Sequence, residues 1–191
     1  MYKINEIFES IQGEGFYTGR LVTFVRFSGC NLNCDFCDTN HEASRMMSAT
    51  DIIKAVNIFK SKIVVLTGGE PMLQVNARLL AKLRANYYKL HLETNGTIES
   101  KLIKEFDHVS VSPKSWNSWK VQKGNDLKIL IEYGVEFDPK KLLFAKFDNY
   151  IFQPIDEYGK LKQNTQAAVL LAKQFPRFKI GVQLHKILNV C

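Results

Sequence analysis

Runs rich in β-branched and aromatic residues recur along this chain and alternate with segments of helical period. The runs are LVTFVRF (21–27), KIVVLT (62–67), KLHLE (89–93), HVSVS (108–112), LKILI (127–131), YIFQP (150–154) and KIGVQL (179–184). A helix is predicted from Ser48, where SATD offers a capping pattern and Ile52, Ile53, Val56 and Phe59 share one face. Further helices are predicted over 76–87, 99–106 and 164–175. Such alternation constrains the fold to parallel βαβ units. A full eight-fold barrel takes about 250 residues, and the chain has 191. The expectation is an α/β fold in one domain over 1–191: a partial, reduced TIM-type barrel of about six parallel strands with flanking helices, or an open doubly wound sheet.

The polar and glycine-rich clusters all fall just after these strands. GCNLNCDFCDT follows LVTFVRF, TGGEP (67–71) follows KIVVL, and ETNG (93–96) follows KLHL. SPK (112–114), QPID (153–156) and HK (185–186) follow HVSV, YIF and GVQL. In parallel α/β folds chemistry gathers at the C-terminal ends of the strands. Packing alone would not put so many such clusters on one rim.

Composition narrows the setting. Apolar residues make up 46% and charged residues 24%, as in ordinary soluble domains. No run approaches the ~18 apolar residues of a membrane span, and MYKINEIFES lacks the apolar core of a signal peptide, so a cytoplasmic protein is expected. The net charge of +7 is uneven: residues 1–100 carry 11 basic and 10 acidic side chains, residues 101–191 carry 15 and 9. The lysines of the second half (Lys114, Lys120, Lys123, Lys128, Lys140, Lys141) are scattered, which reads as a solvated basic surface. Nucleic acid, an acidic protein or an anionic small substrate are the functional alternatives.

Three of the four cysteines, Cys30, Cys34 and Cys37, lie within eight residues in a C-x3-C-x2-C spacing. Clustered cysteines in a cytosolic chain bind metal or do chemistry more often than they form disulfides. Structural metal sites want four ligands, whereas three thiolates can hold three irons of a cubane 4Fe-4S cluster and leave one iron open. Two closed sites compete: a Cys3His zinc site completed by His41, and an electron-transfer cluster completed by Cys191.

The spacing C-x3-C-x2-C, with the aromatic Phe36 before the third cysteine, resembles the radical S-adenosylmethionine (SAM) superfamily. GGEP, which begins 31 residues after Cys37 at the end of the next strand, fits that superfamily's SAM-amine segment. Within it, ESIQGEG (9–15), Gly19-Arg20, FVRFSGCNLNC, CDT (37–39), TGGEP, ETNG, SPK, QP and QLHK resemble the 7-carboxy-7-deazaguanine synthases. The resemblance implies a lyase that converts 6-carboxy-5,6,7,8-tetrahydropterin to 7-carboxy-7-deazaguanine and ammonia by radical ring contraction, in 7-deazapurine (queuosine) biosynthesis. The open iron would bind SAM, which is cleaved to a 5′-deoxyadenosyl radical and regenerated, with Mg2+ assisting. It also implies a homodimer and a flavodoxin or ferredoxin as electron donor.

Carried over residue by residue, the resemblance assigns the cluster to Cys30, Cys34 and Cys37. It assigns SAM to Gly69, Ser112, Pro113, Lys114, Gln153, Pro154, Ile155 and Asp156, leaving Glu70 and Glu93 less defined. Substrate falls to Ile11, Gln12, Gly13, Thr67 and the chain-end carboxylate of Cys191, and Mg2+ to Thr39. Residue chemistry adds Arg26, whose planar fork suits the substrate carboxylate, and Glu14, an acceptor for the pterin's donor edge. Each has a plainer alternative: an ion-paired Arg26, a turn at Glu14, a strand end at Glu93, a structural His185. Magnesium wants several hard oxygens, so Thr39 needs the substrate's own oxygens beside it, and Asp38 is a rival ligand. Two other functions fit parts of the pattern: a glycyl-radical activase, which shares the cluster and GGEP, and a zinc-binding nucleic-acid module.

Overall fold

A computed structural model describes residues 1–37, 44–157 and 159–190. The described residues form one nine-stranded sheet in the order β3-β1-β2-β4-β5-β6-β7-β8-β9. Strands β1 (Tyr2–Ile11), β2 (Leu21–Phe27) and β3 (Arg45–Met47) come first, then β4 (Ile63–Gly68), β5 (Lys89–Thr94) and β6 (His108–Val111). Strands β7 (Lys123–Ile131), β8 (Lys146–Pro154) and β9 (Phe178–Ile180) complete it. From β2 through β9 every neighbouring pair in the sheet is parallel, while β1 runs antiparallel to both β2 and β3. The sheet does not close, since β3 and β9 are its two edges. The expected partial barrel is therefore the architecture.

The helices are α1 (Ala49–Val56), α2 (Ala77–Ala85), α3 (Leu161–Gln174) and α4 (Leu184–Leu188). Ser48 and Asp51 form a reciprocal capping box at α1, and Asn76 caps α2 by accepting from the Leu79 amide. Between α2 and α3 the helical cover is thin. The segment predicted as a helix over 99–106 is a 3-10 turn, Lys101–Glu105, and another 3-10 turn, Pro139–Leu142, bridges β7 to β8.

Alternation along each strand sorts the sheet into two unlike faces. On the convex face Phe27, Leu66, Leu90, Leu92, Leu127 and Phe152 are fully buried and join one apolar core with Ile52, Val56, Leu79, Leu83 and Ala168 of the helices. Each such side chain contributes about 1.5–3 kcal/mol. Phe152 and Phe178 stack at 4.0 Å with rings 3° apart, and Phe137 packs edge-on against both, closing the β8–β9 end. The concave face carries Phe24 and Arg26, Thr67, His91 and Glu93, His108 and Ser110, Asp126 and Lys128, Asn149 and Gln153.

Three segments depart from expectation. The first strand, β1, hides in MYKINEIFESI because a register shift between Ile4 and Glu6 breaks its two-residue alternation. Strand β3 is only three residues long. KIGVQL stops being a strand at Ile180; after the Gly181 amide donates to Phe152 O at 2.8 Å the chain turns away, and Leu184–Leu188 is helical.

Candidate active site

The cluster loop, 28–37, leaves β2 at the level where TGG leaves β4, because the parallel register pairs Arg26 with Thr67 and Phe27 with Gly68. The two segments are bonded together: Gly69 N donates to Phe27 O and Glu70 N to Gly29 O, both at 3.0 Å. Gly69 has to be glycine, since a Cβ there would overlap the Gly29 carbonyl. Gln74 donates to Ser28 O at 2.8 Å, Asn31 donates to Thr97 Oγ1 at 2.8 Å, and Asn95 donates to Asn31 Oδ1 at 3.0 Å.

The three cysteines are free thiols. Cys30 Sγ receives the Leu32 amide at 3.5 Å and the Asn95 side-chain amide at 3.9 Å, donors that stabilise a thiolate. Burial raises the Cys34 thiol, Lys114 opposes this, and the neighbouring Cys30 and Cys37 raise it further. Three thiols that hinder one another's ionisation become compatible thiolates on positively charged iron. The donor set thus fits a cluster with three protein ligands. Among the described residues no three His, Cys, Asp or Glu side chains converge on a single-ion position. His41 and Cys191, the residues that would have closed a zinc site or a four-thiolate cluster, lie outside the described residues, as do Thr39 and Asp38.

Beside the loop the concave face encloses a cavity of ≈ 280 Å³. Phe36, Thr67, Gly69, Ser112 and Lys114 border it, as do Gln153, Pro154, Ile155 and Asp156. Ile11, Gln12, Gly13, Glu14, Arg26, Glu93 and His185 line it too, so the sequence-predicted SAM and substrate residues meet in one space. Pro113 is buried next to the wall rather than on it. Lys114 faces the opening and donates to Ser112 Oγ at 3.0 Å; the surrounding protein, then Lys128, lower its pKa. Glu70 serves the frame instead: fully buried, it accepts from Met72 N, Thr94 Oγ1 and Asn95 N at 2.8–3.0 Å, and burial pushes its carboxyl upward.

At the centre of the wall one of the six scattered lysines departs from the reading of a solvated basic surface, while the other five are exposed. Lys128, 5% exposed, reaches Glu14 Oε2 at 2.7 Å and Glu93 Oε2 at 2.6 Å. Gln183 donates to the other Glu14 oxygen at 2.8 Å, and Gln12 donates to Glu93 Oε1 at 3.3 Å. Burial works against the Glu14 carboxylate, but the charge and hydrogen bond of Lys128 overcome it and hold the pKa at about 2. Burial likewise opposes the Lys128 ammonium, and the two carboxylates raise it well above the usual lysine range. Glu93, the penultimate residue of β5, is thus both a strand end and an ion-pair partner on the cavity wall. The signal for Lys128 was in its position: one cation inside LKILI, at a strand centre where a lone charge needs partners.

Arg26 shows the ion pair weighed for it, at the border of the cavity. Its Nε pairs with Glu6 at 2.8 Å and its guanidinium lies 5.5 Å from the Phe8 ring, while it borders the cavity. Phe8 stacks on Phe24 at 5.1 Å, so one wall is aromatic and basic and the opposite wall carboxylate-rich. Helix α4 reaches the cavity because Leu184 N donates to Gly13 O at 2.9 Å, which sets His185 and Gln183 on its border.

Comparison with known proteins places this geometry. The profile of the Radical SAM superfamily matches residues 24–132. The 7-carboxy-7-deazaguanine synthase of Bacteroides thetaiotaomicron is 37% identical over 190 residues, covering 100% of this chain and 99% of its own. That of Neisseria meningitidis serogroup B is 43% identical, covering 97% and 92%. The crystal structure of QueE from Escherichia coli superposes with a TM-score of 0.74 at 23% identity, over 96% of this chain and 94% of that one, a likeness of fold. The chain belongs to the radical SAM superfamily and, within it, to the 7-carboxy-7-deazaguanine synthase family.

Proposed function

We propose that the chain is a radical SAM lyase that converts 6-carboxy-5,6,7,8-tetrahydropterin to 7-carboxy-7-deazaguanine and ammonia, in one domain over 1–191 and in the cytoplasm. One observation carries the reading: three free thiols on a loop bonded to TGGEP, beside a cavity with a basic aromatic wall and a carboxylate wall. When bound, the cluster and SAM supply one-electron cleavage of the sulfonium and abstraction of a hydrogen atom from the substrate.

The chain's own residues bind, orient and exclude water. Cys30, Cys34 and Cys37 would hold the irons, with the backbone at Gly69, the Ser112–Lys114 segment and the Gln153–Asp156 segment holding SAM. Arg26 would share its guanidinium between Glu6 and the substrate carboxylate, a charge-assisted contact in a part-buried place. Glu14 and Glu93, kept ionised by Lys128, would accept N–H bonds from the pterin's guanidine-like edge, with Ile11, Gln12, Gly13 and Thr67 fixing the ring's plane. Mg2+ would bind through Thr39 and substrate oxygens, which predicts metal binding mainly with substrate present. The working unit would be a homodimer, with a flavodoxin or ferredoxin reductant docking on the basic second half.

The test is anaerobic reconstitution followed by turnover of the carboxylated tetrahydropterin. The reading expects about four irons per chain, a deazapurine ultraviolet spectrum and SAM recovered intact. Zinc in place of iron, or SAM consumed without a deazapurine product, would overturn it.

A further inference from the structure

Beneath the cavity lies a polar cluster that the proposed chemistry does not use. The loop joining β1 to β2 folds inward, its neck fixed by Gln12 N to Arg20 O at 2.8 Å and Gly19 N to Gln12 O at 2.9 Å. Its tip sets Tyr17 4.4 Å from the His91 ring and 4.9 Å from the His108 ring. Asp126, 1% exposed, sits at the centre. Its Oδ2 accepts the Phe16 amide at 2.7 Å and contacts His108 Nε2 at 3.1 Å, and its Oδ1 accepts from Asn149 at 2.9 Å.

Burial works against the Asp126 carboxylate, yet the bonds from His108 and Phe16 hold it below the usual range. An ionised carboxylate only accepts, so His108 presents an Nε2–H to it. The loop is shaped for the contact: Gly15 has φ +74°, and a Cβ there would lie 2.5 Å from Asp126 Oδ2. Asp126 stands two residues before Lys128 on β7, on the same face. One strand therefore grips one loop twice, through Lys128 on Glu14 and through Asp126 on Phe16 N.

We propose that Asp126, oriented by His108 and Asn149, is a positioning residue that latches the loop carrying Gln12, Gly13 and Glu14 against the cavity floor. This rests on the reading above of that loop as the pterin's contact. The latch is separate from the cluster loop, which is bonded to TGGEP, Gln74 and Asn95 instead. Loosening it should misplace Glu14 by fractions of an ångström and weaken substrate binding while leaving SAM binding untouched.

The experiment compares the reconstituted wild-type enzyme with Asp126→Ala, Asp126→Asn and Gly15→Ala, measuring iron content, SAM affinity and the KM for the carboxylated tetrahydropterin. Asp126→Ala should raise KM about tenfold or more, with iron content and SAM affinity within about twofold of wild type. Asp126→Asn keeps an acceptor for Phe16 N–H and should recover part of the loss. Gly15→Ala strains the same contact from the loop side without removing a buried charge, so it should raise KM in the same selective way. An unchanged KM in either Asp126→Ala or Gly15→Ala carrying full cluster would overturn the latch, as would equal losses of SAM and pterin affinity. Failure of the wild-type enzyme itself to turn the pterin over would instead refute the function on which the latch rests.

Discussion

The two faces of one sheet obey opposite rules. On the convex face the strands contribute mostly leucine, valine, isoleucine and phenylalanine to an apolar core. On the concave face the same strands, one residue out of phase, present Arg26, Thr67, Glu93, Lys128 and Gln153 to a cavity, and Asp126, His91 and His108 beneath it. Polar groups buried there are expensive unless paired: Lys128 is held by two carboxylates and Asp126 by three donors, whereas His91 Nε2, Ser110 Oγ and Gln153 Oε1 have no hydrogen-bond partner among the described residues. The difference teaches where to look for function in a parallel sheet of this kind. The convex side holds the shape, and the concave side, whose polar groups packing does not need, holds the chemistry.

The largest expected effect belongs to the rim. Cys34→Ala should abolish cluster assembly and 5′-deoxyadenosine formation, while circular dichroism and the convex core stay unchanged; retained SAM cleavage would break the division between the faces. Next comes the convex face itself. Leu66→Ala should cost about 2–5 kcal/mol of stability yet leave KM for substrate and SAM unchanged at temperatures where the protein is folded. A selective change in KM there would mean that the core tunes the site.

Lys128→Met should do both kinds of damage, because it strands Glu14 and Glu93 without their cation. The expected cost is about 3–5 kcal/mol, with a KM that rises as the pH falls through the carboxylate range. The sign follows from the wild-type network. Glu14 is held at about 2, below its ordinary 4.5, so its contribution is complete above 4.5 and lost as the pH falls toward 2. Lys128 is raised above its ordinary 10.5, so its contribution is complete below 10.5 and lost only at still higher pH. In wild type the pH profile of KM should therefore be flat near neutrality; one as steep as the variant's would contradict the role of Lys128.

A smaller effect is expected from the cluster beneath the cavity. Burial, then the neighbouring His108, depress His91 to about 4 from its ordinary 6.5. A histidine kept neutral in the fold costs stability as the unfolded chain takes up its proton, so stability should fall between 6.5 and 4, by at most about 3 kcal/mol. Denaturation midpoints at about pH 7 and about pH 5 measure this; His91→Gln should shrink the difference, and an undiminished difference would move the acid sensitivity elsewhere. The smallest effect is on the surface: charge reversal of Lys140 and Lys141 should slow reduction by flavodoxin a few-fold at low salt and not at high salt.

Much of the convex face was legible in the sequence because buried strands and capped helices follow simple periods. KIVVLT, KLHLE and HVSVS fall on β4, β5 and β6, and the SATD cap is formed as expected. The rim was legible because strand-end clusters advertise themselves. What stayed hidden depends on partners far along the chain. Lys128 stands out as the one cation inside LKILI, but its partners Glu14 and Glu93, 114 and 35 residues away, cannot be read from that segment. The part of Glu70 within GGEP stayed undefined because the groups it bonds, Thr94 and Asn95, lie 24 and 25 residues further on. Strand β1 was concealed by its register shift, and α4 by the alternating apolar residues of KIGVQL, which resemble a strand.

The most direct test of the account is a crystal structure of the reconstituted protein with SAM and the carboxylated tetrahydropterin bound. The account predicts the pterin in the concave cavity, its carboxylate on Arg26 and its guanidine-like edge on Glu14 and Glu93, with SAM between it and the cysteine loop. A pterin bound outside that cavity, or one whose carboxylate lies away from Arg26, would contradict it.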